Sequence, residues 1–444
     1  DDVYSTKGIR AQSGTGNINI GAVNGEAANQ IGDIFTEYTA IFAYSDGGVI
    51  NVVTDGTITS SDGDGINIYN YGSGDTTVTS NKAITAFDDG IDILNEDGGI
   101  TRVTVNGAIN AGDRGLEIDI GEESPDAAST YINVNAKVVG EDDGLDLDHE
   151  GLGQVVLTLG SNGELIGEDS RGARIDVNTD NTSALVQGSS GVISGGEQGL
   201  YVSTQLGAIT ITDLSSVSGG EYEGIRARSE GGGITISNIG NATSLSEEGI
   251  EADSRLKEAL LDGEGVELRD EDGNELFVYS GGADISIQNV EILEFDGDDD
   301  TTNALNRSAE GINAYSGTGS INIGALDGDA ANAVGDIITS GTGINAISEG
   351  GAVQIRVDGD IEAGGAAIAV ENKGTSVVTE ITLGGTVTSG TTGSVPGVAL
   401  RTAAGATVTV TEDGSVTRSN GLAIGFKGYD DAITDDTLTL TGGR

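Results

Sequence analysis

The stretch DDGIDILNEDGGITRVTVNGAINAGDRGLEID, residues 88–119, carries eight acidic side chains in 32 positions. Four of them, Asp88, Asp89, Asp92 and Glu96, surround Gly90. Carboxylates so arranged suit three purposes. A pair can act as general acid and base in glycoside hydrolysis. Several oxygens together can cage a hard cation such as Ca²⁺. Otherwise they form a solvated face. Other chemistry is thinly supplied. The single histidine, His149 in DHEGLG, reads as a surface residue rather than a base. No nucleophile elbow of the form G-x-S-x-G and no phosphate-binding GxxxxGK[ST] occurs. Zinc is not expected from a chain with no cysteine and one histidine.

The choice among the three depends on the elements beneath the acids, and a repeat sets those. Gly90-Ile91 returns as Gly115-Leu116, about 25 residues later. The same small-then-aliphatic marker stands at Gly8-Ile9, Ala40-Ile41, Gly65-Ile66, Gly144-Leu145, Gly172-Ala173, Gly199-Leu200, Gly224-Ile225 and Gly249-Ile250. After an interruption it resumes at Gly311-Ile312, Gly343-Ile344, Ala367-Ile368, Gly397-Val398 and Gly421-Leu422. Each interval holds a short strand (GIDIL), a turn (EDGG), a strongly alternating strand (ITRVTVNG) and a third short strand (GAINAGD). Period-two alternation marks strands, and Gly/Asn/Asp clusters are turn chemistry.

Places one and three after the marker are aliphatic throughout. They give a core ladder of Ile66, Ile91, Leu116, Leu145, Leu200, Ile225, Ile250, Ile312 and Ile344. Places two and four are mostly polar, as in Asp92/Leu94, Glu117/Asp119, Asp146/Asp148 and Arg174/Asp176. Side chains alternate across a strand. The pattern therefore predicts an all-β parallel β-solenoid, three strands per coil, with about 14–15 coils stacked like on like. The expected organisation is a first block over 1–253, an insertion over 254–307 and a second block over 308–444. Within the last, 308–361 duplicates 5–58, with about 29 of about 51 aligned positions identical. In the insertion, Ser254 to Leu261 reads as a short helix, and VELRDEDGNELFVY as a hairpin turning at Asp272-Gly273.

Composition narrows the function classes. With 72 acidic and 20 basic residues the net charge is −52, which argues against nucleic acid and anionic membranes as partners. Only 4% of residues are aromatic, so the expected core is thin and aliphatic. Absence of cysteine rules out a disulfide framework and fits export in an unfolded state across a bacterial envelope. No apolar run approaches the roughly 18 residues of a membrane span, so this segment is not expected to insert. The chain starts at Asp1 without a signal peptide and is read as a processed or excised segment.

The pattern G-I-x-A/I, then GG-x-I-x-V, then G-x-I-x-x-G-x-G-I, as in GGVINVVTDGTITSSDGDGINI (Gly47 to Ile68), resembles the passenger domains of autotransporters. The ending DDTLTLTGGR (Asp435 to Arg444) also looks like an extension that such passengers carry. This resemblance covers nearly the whole chain outside the insertion. It implies a right-handed β-helix at the bacterial cell surface or released from it, with an outer-membrane barrel supplied by residues outside this chain. Such coil patterns are specific for fold and uninformative about function.

Enzymes that cleave pectin share this fold, and polygalacturonases carry NTD, DD, GHG and RIK motifs in that order. Here Asn178-Thr179-Asp180 reads NTD, but Asp88-Asp89 and Asp142-Asp143 precede it, His149 lacks the flanking glycine, and no RIK occurs. The acids fit stacked columns instead. One place before the marker stand Asp89, Arg114, Asp143 and Arg171, an expected ion ladder in which Asp89 meets Arg114 one coil on. Two places after it stand Asp92, Glu117 and Asp146, followed by Arg174. Like charges stacked on neighbouring strands repel. Asp92, Glu117 and Asp146 are therefore the candidate Ca²⁺ ligands, with arginine compensation the favoured alternative. No cofactor is required. The expected function is a non-catalytic extracellular stalk or adhesin that self-associates or meets a cell-surface glycan or neighbouring surface protein. Tyr69, Tyr71, Tyr201, Tyr222 and Tyr315 are candidates for stacking on sugars. The rival is a polysaccharide-cleaving lyase or hydrolase using clustered Asp residues.

Overall fold

The computed structural model describes residues 8–21, 31–97, 99–121, 128–180, 182–259, 277–279, 281–290, 292–293, 310–324, 333–377, 379–390, 396–411, 413–418, 423–428 and 436–440. Its architecture is an all-β parallel β-solenoid of right-handed type, with no helix among the described residues. It has about 13 coils rather than 14–15, and the last marker contributes two described strands, not three. The chain divides into two compact units, Asp1–Arg226 with Ile239–Leu245, and Ala227–Asn238 with Ser246–Arg444.

In the first unit, each coil lays a stretch of strand on each of three faces. The first face stacks Ile9–Ser13, Ile41–Ser45, Ile66–Asn70, Ile91–Asn95, Leu116–Ile120, Leu145–His149, Arg171–Val177 and Gln198–Thr204. Registry is marker on marker: Ile66 pairs with Ile91, Ile91 with Leu116, Leu116 with Leu145 and Leu145 with Ala173. The second face runs from Ile18–Ile20 to Val155–Leu159, and the third from Ile34–Thr36 to Glu164–Gly167. The long strand Ala184–Gly195 pairs with both and carries the chain around their corner through Ser190, a non-glycine residue at φ 104°.

The second unit repeats this plan. Its first face holds Ile250–Asp253, Ile312–Ser316, Ile344–Ser348, Ile368–Asn372, Val398–Thr402 and Ile424–Gly428. The duplication seen in sequence is also a duplication of registry. Ile9, Ala11 and Ser13 pair with Ile41, Ala43 and Ser45, as Ile312, Ala314 and Ser316 pair with Ile344, Ala346 and Ser348. At the last marker the strand starts two residues later than read, for Val398 pairs with Ile424 and Ala423 takes the glycine place. Facing is preserved because the shift is even. Thr437–Leu440, read as an extension, adds a strand to the second face instead, pairing with Ala406–Val410.

The insertion differs from its reading. Lys257–Ala259, expected to be helical, is a strand paired antiparallel with Phe277–Tyr279. A three-residue pairing partner outweighs the helix propensity of SRLKEALL, since isolated short helices are marginal. The turn expected at Asp272-Gly273 lies outside the described residues. Beyond the hairpin base, Ile285–Val290 and Ile292–Leu293 return to the second and third faces of the coil that Ile250–Asp253 began.

The interior is aliphatic, as composition requires. Ile66, Ile91, Leu116, Leu145, Leu200 and Ile225 in the first unit, and Ile250, Ile312 and Ile344 in the second, are fully buried. Marker glycines are explained by close approach. A Cβ on Gly90 would lie 2.5 Å from the Gly115 carbonyl oxygen and closer still to the Ile109 methyl group. One inward column is largely polar. The fifth place of the first-face strands holds Ser45, Asn70, Asn95, Ile120, His149, Val177 and Thr204, at the turn into the second face. Asn70 Nδ2 donates to Thr76 Oγ1 at 3.1 Å, and Asn95 Nδ2 to Thr101 Oγ1 at 2.9 Å.

Candidate functional site

Among the described residues, a dense group of ionisable side chains stands on the outer surface of the first unit's first face. Strands of LEIDI and LDLDH type alternate, so Asp92, Glu117, Asp146 and Arg174 fall in one column by backbone registry. Asp119, Asp148 and Asp176 form the next. The preceding turn supplies Asp89, Arg114, Asp143 and Arg171.

Arginine side chains hold this surface together. Arg114 Nη1 donates to Glu117 Oε1 at 2.7 Å, and its Nε lies 3.3 Å from Asp146 Oδ2. Arg174 Nη1 donates to Asp146 Oδ1 at 2.7 Å and to Asp148 Oδ2 at 3.1 Å, while its Nη2 also reaches Asp176. The ladder residues meet differently from the guanidinium contact expected. The main-chain N–H of Arg114 donates to Asp89 Oδ1 at 2.9 Å, and that of Arg171 to Asp143 Oδ1 at 2.7 Å. The Arg171 guanidinium lies over the Tyr201 ring, 5.9 Å from its centroid. Place one before the marker aims the carboxylate along the coil edge, where the next coil's amide is nearer than its side chain.

Burial and neighbouring negative charge raise the carboxyl pKa values. Asp92 is pushed up to about 7, by burial first and then by Asp64, Asp89 and Asp119, against the pull of Arg114. Glu117 is pushed up to about 8 by burial and then by Asp89. The nearby Asp89 carboxylate thus favours the protonated form of Glu117, against the pull of Arg114. Burial likewise raises Asp89, Asp119, Asp143 and Asp176.

As a Ca²⁺ cage this donor set fits poorly. Asp146 already meets two guanidinium groups, and Glu117 meets one. Hard cations want six to eight oxygens, and here arginine nitrogens stand among them. Of the three candidate ligands, Asp92 alone lies apart from these arginine contacts and accepts instead from Asn67 Nδ2 at 2.6 Å. For hydrolysis, too, Asp146, Asp148 and Asp176 are engaged by one guanidinium, Arg174, rather than standing free as acid and base.

His149 is not the surface residue expected. It is fully buried, with Nδ1 3.2 Å from Thr130 Oγ1 and Nε2 without a hydrogen-bond partner. Burial lowers its pKa to about 4, so it is neutral at physiological pH. The signal was present: Leu145, Leu147 and His149 share one parity, and that parity faces inward. Of Asn178-Thr179-Asp180, Thr179 Oγ1 donates to the Gly151 carbonyl at 2.8 Å, a turn contact between coils. The polar column at place five, Asn70 and Asn95 included, was likewise missed. No family model, curated protein or solved structure matches the chain. The fold is what is shown.

Proposed function

We propose that this chain is a non-catalytic, surface-exposed β-solenoid, a stalk or adhesin of the kind found in autotransporter passengers. It presents its outer faces to other copies of itself, to a cell-surface glycan or to a neighbouring surface protein, and assembly into a filament or surface layer is the structural variant. One observation carries this reading. In this acid cluster Arg114 and Arg174 pair with Glu117, Asp146, Asp148 and Asp176, which favours a structural role for those carboxylates over acid and base work. His149 points into the core, away from those acids. The negative surface keeps such a molecule soluble while attracting cations.

The test is incubation with pectin, polygalacturonate and neutral polysaccharides, followed by assay for new reducing ends and unsaturated products. No products are expected. Products that disappear on Asp143→Asn substitution would replace this reading with the lyase or hydrolase.

A further inference from the structure

The first coils of the first unit carry aromatic rings on the outer surface where later coils carry acids. Phe42 and Tyr44 occupy places two and four of Ile41–Ser45; Asn67 and Tyr69 pair with them in register, and Tyr71 follows. Phe42 and Tyr69 meet edge to face with centroids 5.8 Å apart. Tyr44 and Tyr71 meet at 5.6 Å, and Tyr69 stacks with Tyr71 at 6.3 Å. The result is a continuous, partly exposed strip of four rings in a chain that is only 4% aromatic.

The edge of this strip is short of hydrogen-bond donors. Asn67 Nδ2 donates to Asp64 Oδ2 at 2.8 Å and to Asp92 Oδ2 at 2.6 Å. Asn67 Oδ1 has no partner, although the residue is only 7% exposed. Asp64 Oδ2 also accepts from Thr39 Oγ1 at 3.3 Å, so one amide NH₂ and one hydroxyl serve two carboxyl groups, and nothing reaches the amide oxygen. An orphaned buried acceptor is costly unless something donates to it.

The second unit repeats the arrangement with a cation already in place. Gly311-Ile312-Asn313-Ala314-Tyr315 matches Gly65-Ile66-Asn67-Ile68-Tyr69. Asn313 Nδ2 donates to Glu248 Oε1 at 2.7 Å, and Asn313 Oδ1 is again unpartnered. There the Arg255 guanidinium lies 4.6 Å from the Tyr315 centroid, held by Asp253 through hydrogen bonds of 2.8 and 2.6 Å. Among the described residues of the first unit, cations lie over Phe42, Tyr131 and Tyr201, and none over Tyr69 or Tyr71.

We propose that the strip of Phe42, Tyr44, Tyr69 and Tyr71, with its Asp64–Asn67–Asp92 edge, binds an amine-bearing hexosamine oligosaccharide. Pyranose faces lie on Tyr44, Tyr69 and Tyr71, with Phe42, which Arg10 covers, supporting Tyr69 from its edge, and a protonated amine takes the acid edge in the manner of Arg255 beside Tyr315. The proposal rests on the non-catalytic, surface-binding reading above. Charge complementarity selects the ligand: the acid edge favours an ammonium group and repels uronates and sialylated glycans. A flexible cationic peptide satisfies the acids but has no flat apolar faces for a line of rings.

The test is calorimetric titration of the whole chain with a glucosamine hexamer at about pH 6.5 and ~0.15 M salt, beside an N-acetylglucosamine hexamer, a galacturonate hexamer and hexalysine. The amine hexamer is expected to bind, the acetylated one about tenfold more weakly, and the uronate not at all. Tyr69→Ala should weaken binding about tenfold, Tyr69→Phe by less than about threefold, and Tyr201→Ala not at all. Tyr71→Ala serves if Tyr69→Ala lowers the melting temperature. Wild-type affinity in both alanine variants would overturn the proposal, as would hexalysine binding as tightly as the hexamer with no dependence on Tyr69. Reducing ends are measured in the same mixtures. Ring-dependent binding with cleavage leaves the site standing and overturns the non-catalytic reading, whereas no binding overturns the site alone.

Discussion

Replacing Asp92 with asparagine tests the electrostatics of the outer column most directly. Asp92 lies between Asn67 and Glu117 in registry, and burial with its acidic neighbours pushes it from 3.8 up to about 7. At about 1.4 kcal/mol per pKa unit, ionising it in the folded chain costs on the order of 4 kcal/mol, or about half that once solvent at a part-exposed site is allowed for. The folded chain holds this proton more tightly than the unfolded chain. Its stabilising contribution is therefore complete below about pH 4 and is lost as pH rises through 7. Asparagine keeps the shape and an acceptor for Asn67 Nδ2, and it never ionises. The variant should melt above the wild type, with an advantage that grows by about 1–3 kcal/mol between pH 5 and pH 8. Solenoids unfold by parts, so the readout is the difference in melting temperature across pH rather than a two-state free energy. An advantage that stays constant with pH, or a variant that melts lower at pH 8, would refute the reasoning. Adding Ca²⁺ at pH 8 extends the test, because a rise in melting temperature for the wild type but not the variant would place a cation at Asp92.

Other expectations concern the same stack. His149, lowered from 6.5 to about 4, binds its proton less tightly folded than unfolded, so stability is full above about pH 6.5 and falls by up to about 3 kcal/mol toward pH 4. His149→Asn, the residue type at this place in Asn70 and Asn95, should remove that component of acid sensitivity in melting curves taken from pH 7 to 5. Arg174→Met strips Asp146, Asp148 and Asp176 of their shared partner and should destabilise by about 1–3 kcal/mol, less at high salt. Gly90→Ala drives a methyl group against the Gly115 carbonyl and Ile109, and should lower the melting temperature by an amount corresponding to more than about 1 kcal/mol. Electron microscopy at rising protein concentration, with and without Ca²⁺, should show particles that associate, and single particles at every concentration would count against self-assembly.

Most of the fold was legible because one marker pair recurs and alternation tells inside from outside. Ile91, Leu116 and Leu145 could be aligned by eye, and backbone registry then carried Asp92 onto Glu117 and Asp146. Which atoms of Arg114 meet Asp89 was not legible, because alignment orders residues by coil and says nothing about whether a side chain or an amide arrives first. The strand at Lys257–Ala259 was hidden for a related reason: its partner, Phe277–Tyr279, lies beyond any local window. The place of His149 is carried by its inward parity in LDLDH, which its residue type alone does not reveal. The aromatic strip needed registry before Phe42, Tyr44, Tyr69 and Tyr71 could be seen as neighbours.

The buried polar column bears on how the coils find their order during folding. A stack of near-identical aliphatic coils offers little to distinguish a correct neighbour from the next but one, and skipped pairings would lose scarcely any apolar contact. From Asn95 onward the fifth-place residues change from coil to coil, to Ile120, His149 and Val177, and Val155 replaces the threonine that faces them in the preceding coils. Asn70 and Asn95 pair with Thr76 and Thr101 in their own coils. Ile120 offers nothing to Thr130, Val155 offers nothing to His149, and the two unmatched polar groups find each other across the coil boundary at 3.2 Å. A coil docked out of turn would bury an imidazole and a hydroxyl without partners. These few side chains act as addresses, each legible only to the coil that belongs beside it.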